Sequence, residues 1–419
     1  MKIAIISINA HTKVLNFASP LHSVAFQSFL KKHGIGSTII DYKPNYYGTF
    51  DARHPLDYYR DHPDDNPIRR QKQFQKWHTL YKAREKRYDR FEEFIQTYYH
   101  KTDHCYNAKD LDTLDLGFDC YICVTDVIWK YNKNSGFDRG FFLACASMKN
   151  KKKIAYAASR GASQYTPEQA QKFFEYISDI DYISVREKSL MEYINSHSDL
   201  PVSHVLDPVF LQEKDFYQKM AILPVEKNYI LIYLAMEKAD QLVKTAIAFA
   251  KEHGYDIIEL SEYPDHETLA EDVSYKLIYD IGVEEWLGYM MQAKYIFTNS
   301  FHACCFSIIF HKQFYAGDRA GDKIDSLLDL FQLSDRRVKG YQPKLAQSLP
   351  DIDFHPVEEL REKYVEESTD FILTAIQNLE NSPHQNRQQL IHSSVYDPSP
   401  SPQKTSLLKK LHKKLIKRG

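Results

Sequence analysis

The chain has 419 residues, more than one ordinary hydrophobic core accommodates, so two domains are the first expectation. Its 54 basic and 56 acidic side chains leave a formal charge of −2, which excludes the global positive field of a nucleic-acid binder. Six cysteines do not call for an oxidising compartment, no run of about 18 apolar residues offers a membrane span, and Met1–Ile8 is too short for a secretory signal; a cytoplasmic protein is expected.

Ile3 to Ile8 is apolar without alternation, as in a strand buried on both faces. A polar loop over 9–20 leads to a helix over 21–33, stopped by Gly34, and then to a strand over 37–41. This β-loop-α-β opening predicts a parallel α/β sheet. Residues 42–112 interrupt the pattern. They are rich in Tyr, His, Asp, Arg and Pro and then become a charged helix over 84–99, so they read as an insertion forming a lid or an acceptor-side element. Alternation resumes with strands over 120–124, 153–159 and 182–185, helices over 167–178 and 188–196, and a strand over 202–206 ended by Asp207-Pro208. A polar stretch over 223–228 suggests a hinge, which makes residues 1–225 an N-terminal Rossmann-like domain.

A second series fills 226–345. It has strands over 229–235, 256–260, 295–298 and 313–316 and helices over 239–253, 283–293, 301–310 and 323–331. Two parallel sheets in tandem leave a cleft between them, where ligands bind beyond the carboxyl ends of the strands. A long amphipathic helix is expected over 355–380, a disordered Pro/Ser-rich linker over 381–404, and a basic amphipathic tail over 405–419. In that tail Leu407, Leu408, Leu411 and Leu415 share a face ringed by six cations. Such a helix suits an anionic membrane surface, here the inner face of the plasma membrane, although a solvated basic tail has the same composition.

The residues that could carry chemistry follow strand ends. Thr298-Asn299-Ser300 closes an apolar run and caps the next helix, with His302 in its first turn; an anion and a proton donor both suit such a place. Arg186 ends another strand, where a guanidinium can grip a carboxylate or phosphate or merely pair with Glu187. Asp126 and Trp129 follow the strand over 120–124, and Asp126 could act as a base or cap a turn. Asn16-Phe17 lies in the first strand-helix loop, and Arg160, Lys323 and Arg336 are further candidate cleft cations. Cys120 and Cys123 sit on opposite faces of one strand, a poor pairing for a metal. No Gly-x-Gly-x-x-Gly or Walker motif is present, so no dinucleotide cofactor is expected. The 30 tyrosines could stack on sugars or simply pack.

Taken in order, several segments resemble the polysaccharide pyruvyl transferase family. They are the opening strand with Asn16-Phe17, Asp119–Trp129, Lys153–Ser159, Ile183–Lys188, Leu206-Asp-Pro208 and Thr298–His302. The resemblance implies two Rossmann-like domains similar to GT-B glycosyltransferases, followed by a C-terminal helical extension. It implies transfer of pyruvate from phosphoenolpyruvate to a sugar diol of a cell-surface or exopolysaccharide repeat unit, with a cyclic ketal and phosphate as products. The acceptor would be a sugar or a lipid-linked oligosaccharide, and no metal or organic cofactor would be needed. By the same resemblance His302 is the general acid/base and Arg186 clamps the donor with Asn299, Ser300, Lys323 and Arg336 near it. Asn16, Asp126, Trp129 and Arg160 are placed in acceptor or supporting roles. The chain departs from the family at Ala18, Val124 and Ala303, where glycine is usual. Two alternatives stay open: a nucleotide-sugar glycosyltransferase of GT-B type, and an inactive sugar-binding or scaffold member, which those changes favour.

Overall fold

The computed structural model describes residues 1–396 apart from 12–13, 49–50, 62–65, 236, 261–265, 271 and 346–348. The tail over 405–419 and its membrane contact therefore lie outside the described residues. Seven parallel strands form the first sheet: β1 (Ile3–Ser7), β2 (Ser37–Tyr42), β3 (Lys101–Tyr106), β4 (Cys120–Asp126), β5 (Lys152–Ala158), β6 (Tyr182–Val185) and β7 (Val202–His204), in the order β3-β2-β1-β4-β5-β6-β7. Five parallel strands form the second: β8 (Tyr229–Tyr233), β9 (Asp256–Glu259), β10 (Tyr275–Leu277), β11 (Tyr295–Thr298) and β12 (Gln313–Ala316), in the order β10-β9-β8-β11-β12. The fold is α/β and GT-B-like. In each sheet the chain starts at the centre, runs to one edge and returns, so β1/β4 and β8/β11 are the switch points where α/β sheets bind ligands.

Burial explains the apolar runs. Every residue of β1 and β8 is buried. Ile3 and Ile5 face one cluster and Ala4 and Ile6 another, because successive side chains point to opposite faces. The largest cluster is shared by both domains: it joins Ile3 and Ile5 of β1 to Tyr229 and Leu231 of β8 through α1 (Ala18–Lys32), α9 (Val283–Gln292) and α10 (Phe301–Ile309). Phe17, just before α1, stacks on Trp286 of α9 with ring centroids 5.9 Å apart, so this loop residue is apolar packing between the domains. The chain at Ile222 crosses α9 at Gly288, where a Cβ would come within 1.8 Å of the Ile222 carbonyl oxygen; only glycine permits that approach.

The stretch expected as an insertion is dominated by α3 (Pro67–Tyr98), capped by the Asn66 side chain on the backbone N–H groups of Ile68 and Arg69. It leans on the second domain: Arg84 donates to the Tyr279 hydroxyl at 3.0 Å, Tyr98 donates to Glu284 at 3.0 Å, and Arg90 pairs with Glu285. The sequence reading missed β3 and β10. Both are edge strands, and an edge strand such as Lys-Thr-Asp-His-Cys-Tyr buries too little to show a hydrophobic pattern.

The last helix, α12 (Phe354–Asn381), returns to the first domain, where its Ser368 hydroxyl accepts from the Leu206 N–H at 2.9 Å. The expected disordered linker differs over its described part. Residues 382–396 pack on the first domain: Ile391 and Val395 are buried in its core and Ile391 bridges to Ser198. His384 anchors the segment, with Nδ1 3.0 Å from Asp181 and Nε2 3.1 Å from Asp179, and these carboxylates push its pKa up to about 9. The polar composition hid this because the anchor is ionic and only two apolar side chains are buried.

Candidate active site

The end of β4 carries the first site residue. Thr125 and Asp126 both take positive φ, 39° and 62°, although neither is glycine. Such backbone is costly and concentrates at functional sites. The Asp126 carbonyl accepts from Ile128 and Ser159 N–H groups, which fixes the turn and aims the carboxylate toward the carboxyl end of the sheet. Arg186, one residue past β6, reaches the same point. Its Nη2 donates to Asp126 Oδ1 at 2.9 Å and its Nη1 to Asp207 Oδ2 at 2.8 Å, while its guanidinium lies 4.1 Å from the centroid of the Phe301 ring. Asp207 heads a short 3₁₀ turn, Pro208–Leu211, by accepting from the Val209 N–H with Oδ1; its Oδ2 also accepts from the Thr125 hydroxyl at 3.0 Å.

The second domain faces this group with two helix starts. Ser300 caps α10, accepting from the Ala303 N–H, and sets His302 in the first turn. His302 Nε2 lies 3.4 Å from Asp207 Oδ2, within ion-pair range, and forms no hydrogen bond there among the described residues. Lys323 opens α11 (Lys323–Leu330), with Nζ 3.8 Å from Asp126 Oδ1. Asp126, Arg186, Asp207 and His302 are all buried. Burial alone would neutralise the carboxylates, yet Lys323 and Arg186 hold Asp126 well below the usual range. His302 and Arg186 do the same for Asp207. Burial pulls Lys323 down, with Asp126 opposing the shift. Two carboxylates and a guanidinium from the first domain thus meet Lys323 and His302 from the second across the domain boundary.

Two further ionisable groups belong to the cluster: His22, which was not anticipated, and Glu187, expected only as a pairing partner of Arg186, its Oε1 3.8 Å from Arg186 Nη2. His22 of α1 is fully buried, its ring centroid 5.8 Å from that of His302. Burial holds it neutral, lowering its pKa to about 4 against the pull of Asp207, and its Nε2 has no hydrogen-bond partner among the described residues. In the sequence it lies within the helix expected over 21–33, with no motif to mark it. Glu187 is also buried. Ser159 donates to its Oε1, Oε2 is unpaired among the described residues, and desolvation pushes its carboxyl up. Asp207 had a visible signal, the Leu206-Asp-Pro208 run, without an assigned role.

Other expected residues lie apart from this cluster or serve the scaffold. Asn299 is buried and braces the loop after β8, its Oδ1 accepting from Ala235 N–H at 2.8 Å and its Nδ2 donating to the Glu237 carbonyl at 2.9 Å. Arg336 donates to the Pro350 carbonyl and pairs with Asp335, beyond β12. Trp129 is core, stacked on Phe142 and edge-on to Phe173. Asn16 accepts from the Ala18 N–H with its side chain and from Ser19 with its carbonyl, which starts α1. Arg160 lies over the Tyr193 ring at 4.6 Å. Cys120 and Cys123 are buried free thiols in different clusters, and among the described residues no group of three or more His, Cys, Asp or Glu could hold a metal. None of Ala18, Val124 and Ala303 takes positive φ, so a Cβ there brings no backbone strain.

The model of the family described as polysaccharide pyruvyl transferase matches residues 21–316, a span that contains Asp126, Arg186, Asp207 and His302 and covers well over half of the chain. The chain belongs to the polysaccharide pyruvyl transferase family. No curated protein matches its sequence. Among solved structures it is similar to one assigned as a UDP-N-acetylglucosamine 2-epimerase from Listeria monocytogenes, with a TM-score of 0.51 at 9% identity over 91% of this chain and 96% of that one. A UDP-GlcNAc 2-epimerase from Neisseria meningitidis, solved with UDP-GlcNAc, gives 0.49 at 12% identity over 90% and 100%. MurG from Acinetobacter baumannii gives 0.41 at 11% over 90% and 99%. At these identities the first likeness speaks for the fold alone. Among the described residues no helix is long and apolar enough to cross a membrane.

Proposed function

We propose that this member of the family transfers pyruvate from phosphoenolpyruvate to two hydroxyls of a sugar in a cell-surface or exopolysaccharide repeat unit. The enol carbon would gain two C–O bonds to the sugar and lose its bond to phosphate, while the methylene becomes methyl. Of the two hydroxyl protons, one goes to that methyl and one leaves with phosphate. The observation that carries this reading is the meeting of His302 and Lys323 with Arg186, Asp126 and Asp207 beyond the carboxyl ends of the strands of the two sheets.

The donor is an anion with a carboxylate and a phosphate, and the cluster has cations to offer it. Arg186 commits two of its five N–H donors to Asp126 and Asp207, so the others remain for a ligand. Lys323 stands at ion-pair distance from Asp126 without a hydrogen bond to it, so an incoming phosphate can take its place. Asp126 and Asp207 would then act as positioning residues that orient the cations and His302. Proton traffic runs in two directions and needs two carriers. His302, held against Asp207, would deliver the proton to the methylene carbon. The neutral His22 beside it would receive one as a hydroxyl attacks. The product enters an envelope polysaccharide, and the work would be done in the cytoplasm, at the inner membrane face if the acceptor is lipid-linked.

The test is phosphate release from phosphoenolpyruvate with sugar or lipid-linked acceptors, together with detection of the ketal methyl by NMR, for wild type, His302→Ala and Arg186→Ala. Phosphate and ketal should form together with wild type and fall sharply in both variants. Saturable binding of uridine nucleotides with no consumption of phosphoenolpyruvate would overturn the reading and point to sugar-nucleotide chemistry.

A further inference from the structure

His22 lies with one ring nitrogen unpartnered and the other against a pair of hydroxyls. Its Nε2 is buried without a hydrogen-bond partner among the described residues, on a ring whose centroid is 5.8 Å from that of His302. Its Nδ1 lies 3.4 Å from Ser7 Oγ and 3.4 Å from Ser23 Oγ. Ser7 is the last residue of β1 and Ser23 belongs to α1, so the strand end and the helix after it fix the pair. Ser7, Ser19, His22 and Ser23 are all fully buried.

Each hydroxyl has one proton to donate. Ser23 Oγ lies 3.2 Å from the Ser19 carbonyl oxygen, one helical turn back, which can only accept. The Tyr99 hydroxyl, also next to Ser23, donates to the Pro20 carbonyl at 3.4 Å and so meets Ser23 with an oxygen lone pair. With the Ser23 proton directed to these acceptors, the 2.6 Å contact between the two serines is made by the Ser7 proton. Both protons are then committed, and Nδ1 faces oxygen lone pairs alone. There it carries the ring hydrogen, and in a neutral imidazole Nε2 is left with a lone pair. Burial keeps the ring neutral; Asp207 and Asp126 draw a proton toward it, while His302 and Arg186 oppose one.

We infer that Ser7 and Ser23 are positioning residues that hold His22 with its hydrogen on Nδ1 and a lone pair on Nε2. This rests on the transferase reading for what the lone pair does, and not for the tautomer itself. In that reading an acceptor hydroxyl gives its proton to Nε2 as its oxygen bonds to the enol carbon, whose double-bond electrons take up the proton from His302. One O–H bond breaks, and an N–H and a C–O bond form. The proton on Nε2 is the one that leaves with phosphate, which restores the neutral ring. Nδ1 keeps its hydrogen on the serine oxygens throughout. The opposite tautomer would present an N–H at Nε2, which cannot act as a base.

The experiment is long-range proton–nitrogen NMR at neutral pH on the full chain labelled with nitrogen-15 histidine, with His22→Phe assigning the signal, read beside phosphate release. Wild type should show His22 as the Nδ1–H tautomer. The two serines should behave differently. In Ser23→Ala the Ser7 hydroxyl loses its acceptor, turns its proton to Nδ1 and moves the ring hydrogen to Nε2; kcat should fall about tenfold with KM for phosphoenolpyruvate unchanged. In Ser7→Ala the Ser23 proton stays on the Ser19 carbonyl, so Nδ1 keeps its hydrogen and kcat falls less. Each variant removes one oxygen atom, and melting temperatures report the fold separately from the tautomer. The inference is overturned if wild-type His22 carries its hydrogen on Nε2 or is doubly protonated, if Ser23→Ala leaves the tautomer unchanged, or if Ser7→Ala switches it. Because the tautomer is read without turnover, a chain that shows this pattern but releases no phosphate from phosphoenolpyruvate would refute the transferase reading and leave the serine pair's hold on His22 standing.

Discussion

The two domains repeat one strand order and contribute to the site in opposite ways. The first presents side chains from strand ends and the turns after them: Asp126, Arg186 and Asp207. The second presents side chains from helix starts, His302 and Lys323. Taken alone, the first half holds two carboxylates around one guanidinium, and the second half holds a lysine and an imidazole at positive helix ends. Charge balances only across the boundary. The comparison teaches that the interface is where this protein's electrostatics are settled, so substitutions that face it should behave unlike substitutions inside either domain.

The sharpest break should come from the second domain's imidazole. His302→Ala is expected to lower kcat by about 10²–10⁴ with the fold retained, checked by phosphate release and by an unchanged circular dichroism spectrum. Next comes its partner across the boundary. Asp207→Ala strips Arg186 and Thr125 of one shared acceptor and His302 of an ion-pair contact, and should cost about 3–5 kcal/mol, read in a denaturant titration, because a buried cation loses its counter-charge.

His22 tests the same boundary through pH. Its folded pKa of about 4 lies below the ordinary 6.5, so the unfolded chain binds a proton that the folded chain refuses. The part of the stability that depends on His22 should be complete above pH 6.5 and fall on the order of 3 kcal/mol as pH drops toward 4. His22→Phe should flatten that part of the stability curve, and a slope that persists unchanged would assign it to another group. A smaller effect belongs to Asn299, which is one residue from the capping serine but points into its own domain. Asn299→Ala should cost about 1–3 kcal/mol through two lost buried hydrogen bonds, with KM for phosphoenolpyruvate unmoved. Arg336→Gln should be mildest for activity, leaving both kcat and KM at wild-type values, since its guanidinium serves Pro350 and Asp335.

The architecture was legible wherever a strand is buried on both faces. Residues 3–6, 120–124 and 229–233 are apolar because they lie buried between two helical layers, and a run of that kind survives reading from sequence. Edge strands β3 and β10 did not announce themselves, since one unpaired side and exposed faces impose no pattern. His302 and Arg186 were legible for a local reason: each stands at the junction of a strand with the next helix, and Ser300 marks one of those junctions as a cap. The sequence therefore determined by itself two parallel α/β sheets, the strand ends that carry chemistry, and membership of a family through an ordered set of short motifs.

Which of those strand-end residues meet was decided by the tertiary structure. Lys323 and Arg336 looked alike as cations late in the second domain, yet one faces Asp126 and the other a carbonyl beyond β12. His22 carried no signal beyond its place in a helix and lies against His302. Trp129 looked like part of a site and fills an aromatic core. The physical reason is that helical and strand periodicity report only whether a side chain faces inward. Partners across a domain boundary are set by how two separately folded sheets dock, and no local pattern encodes that distance.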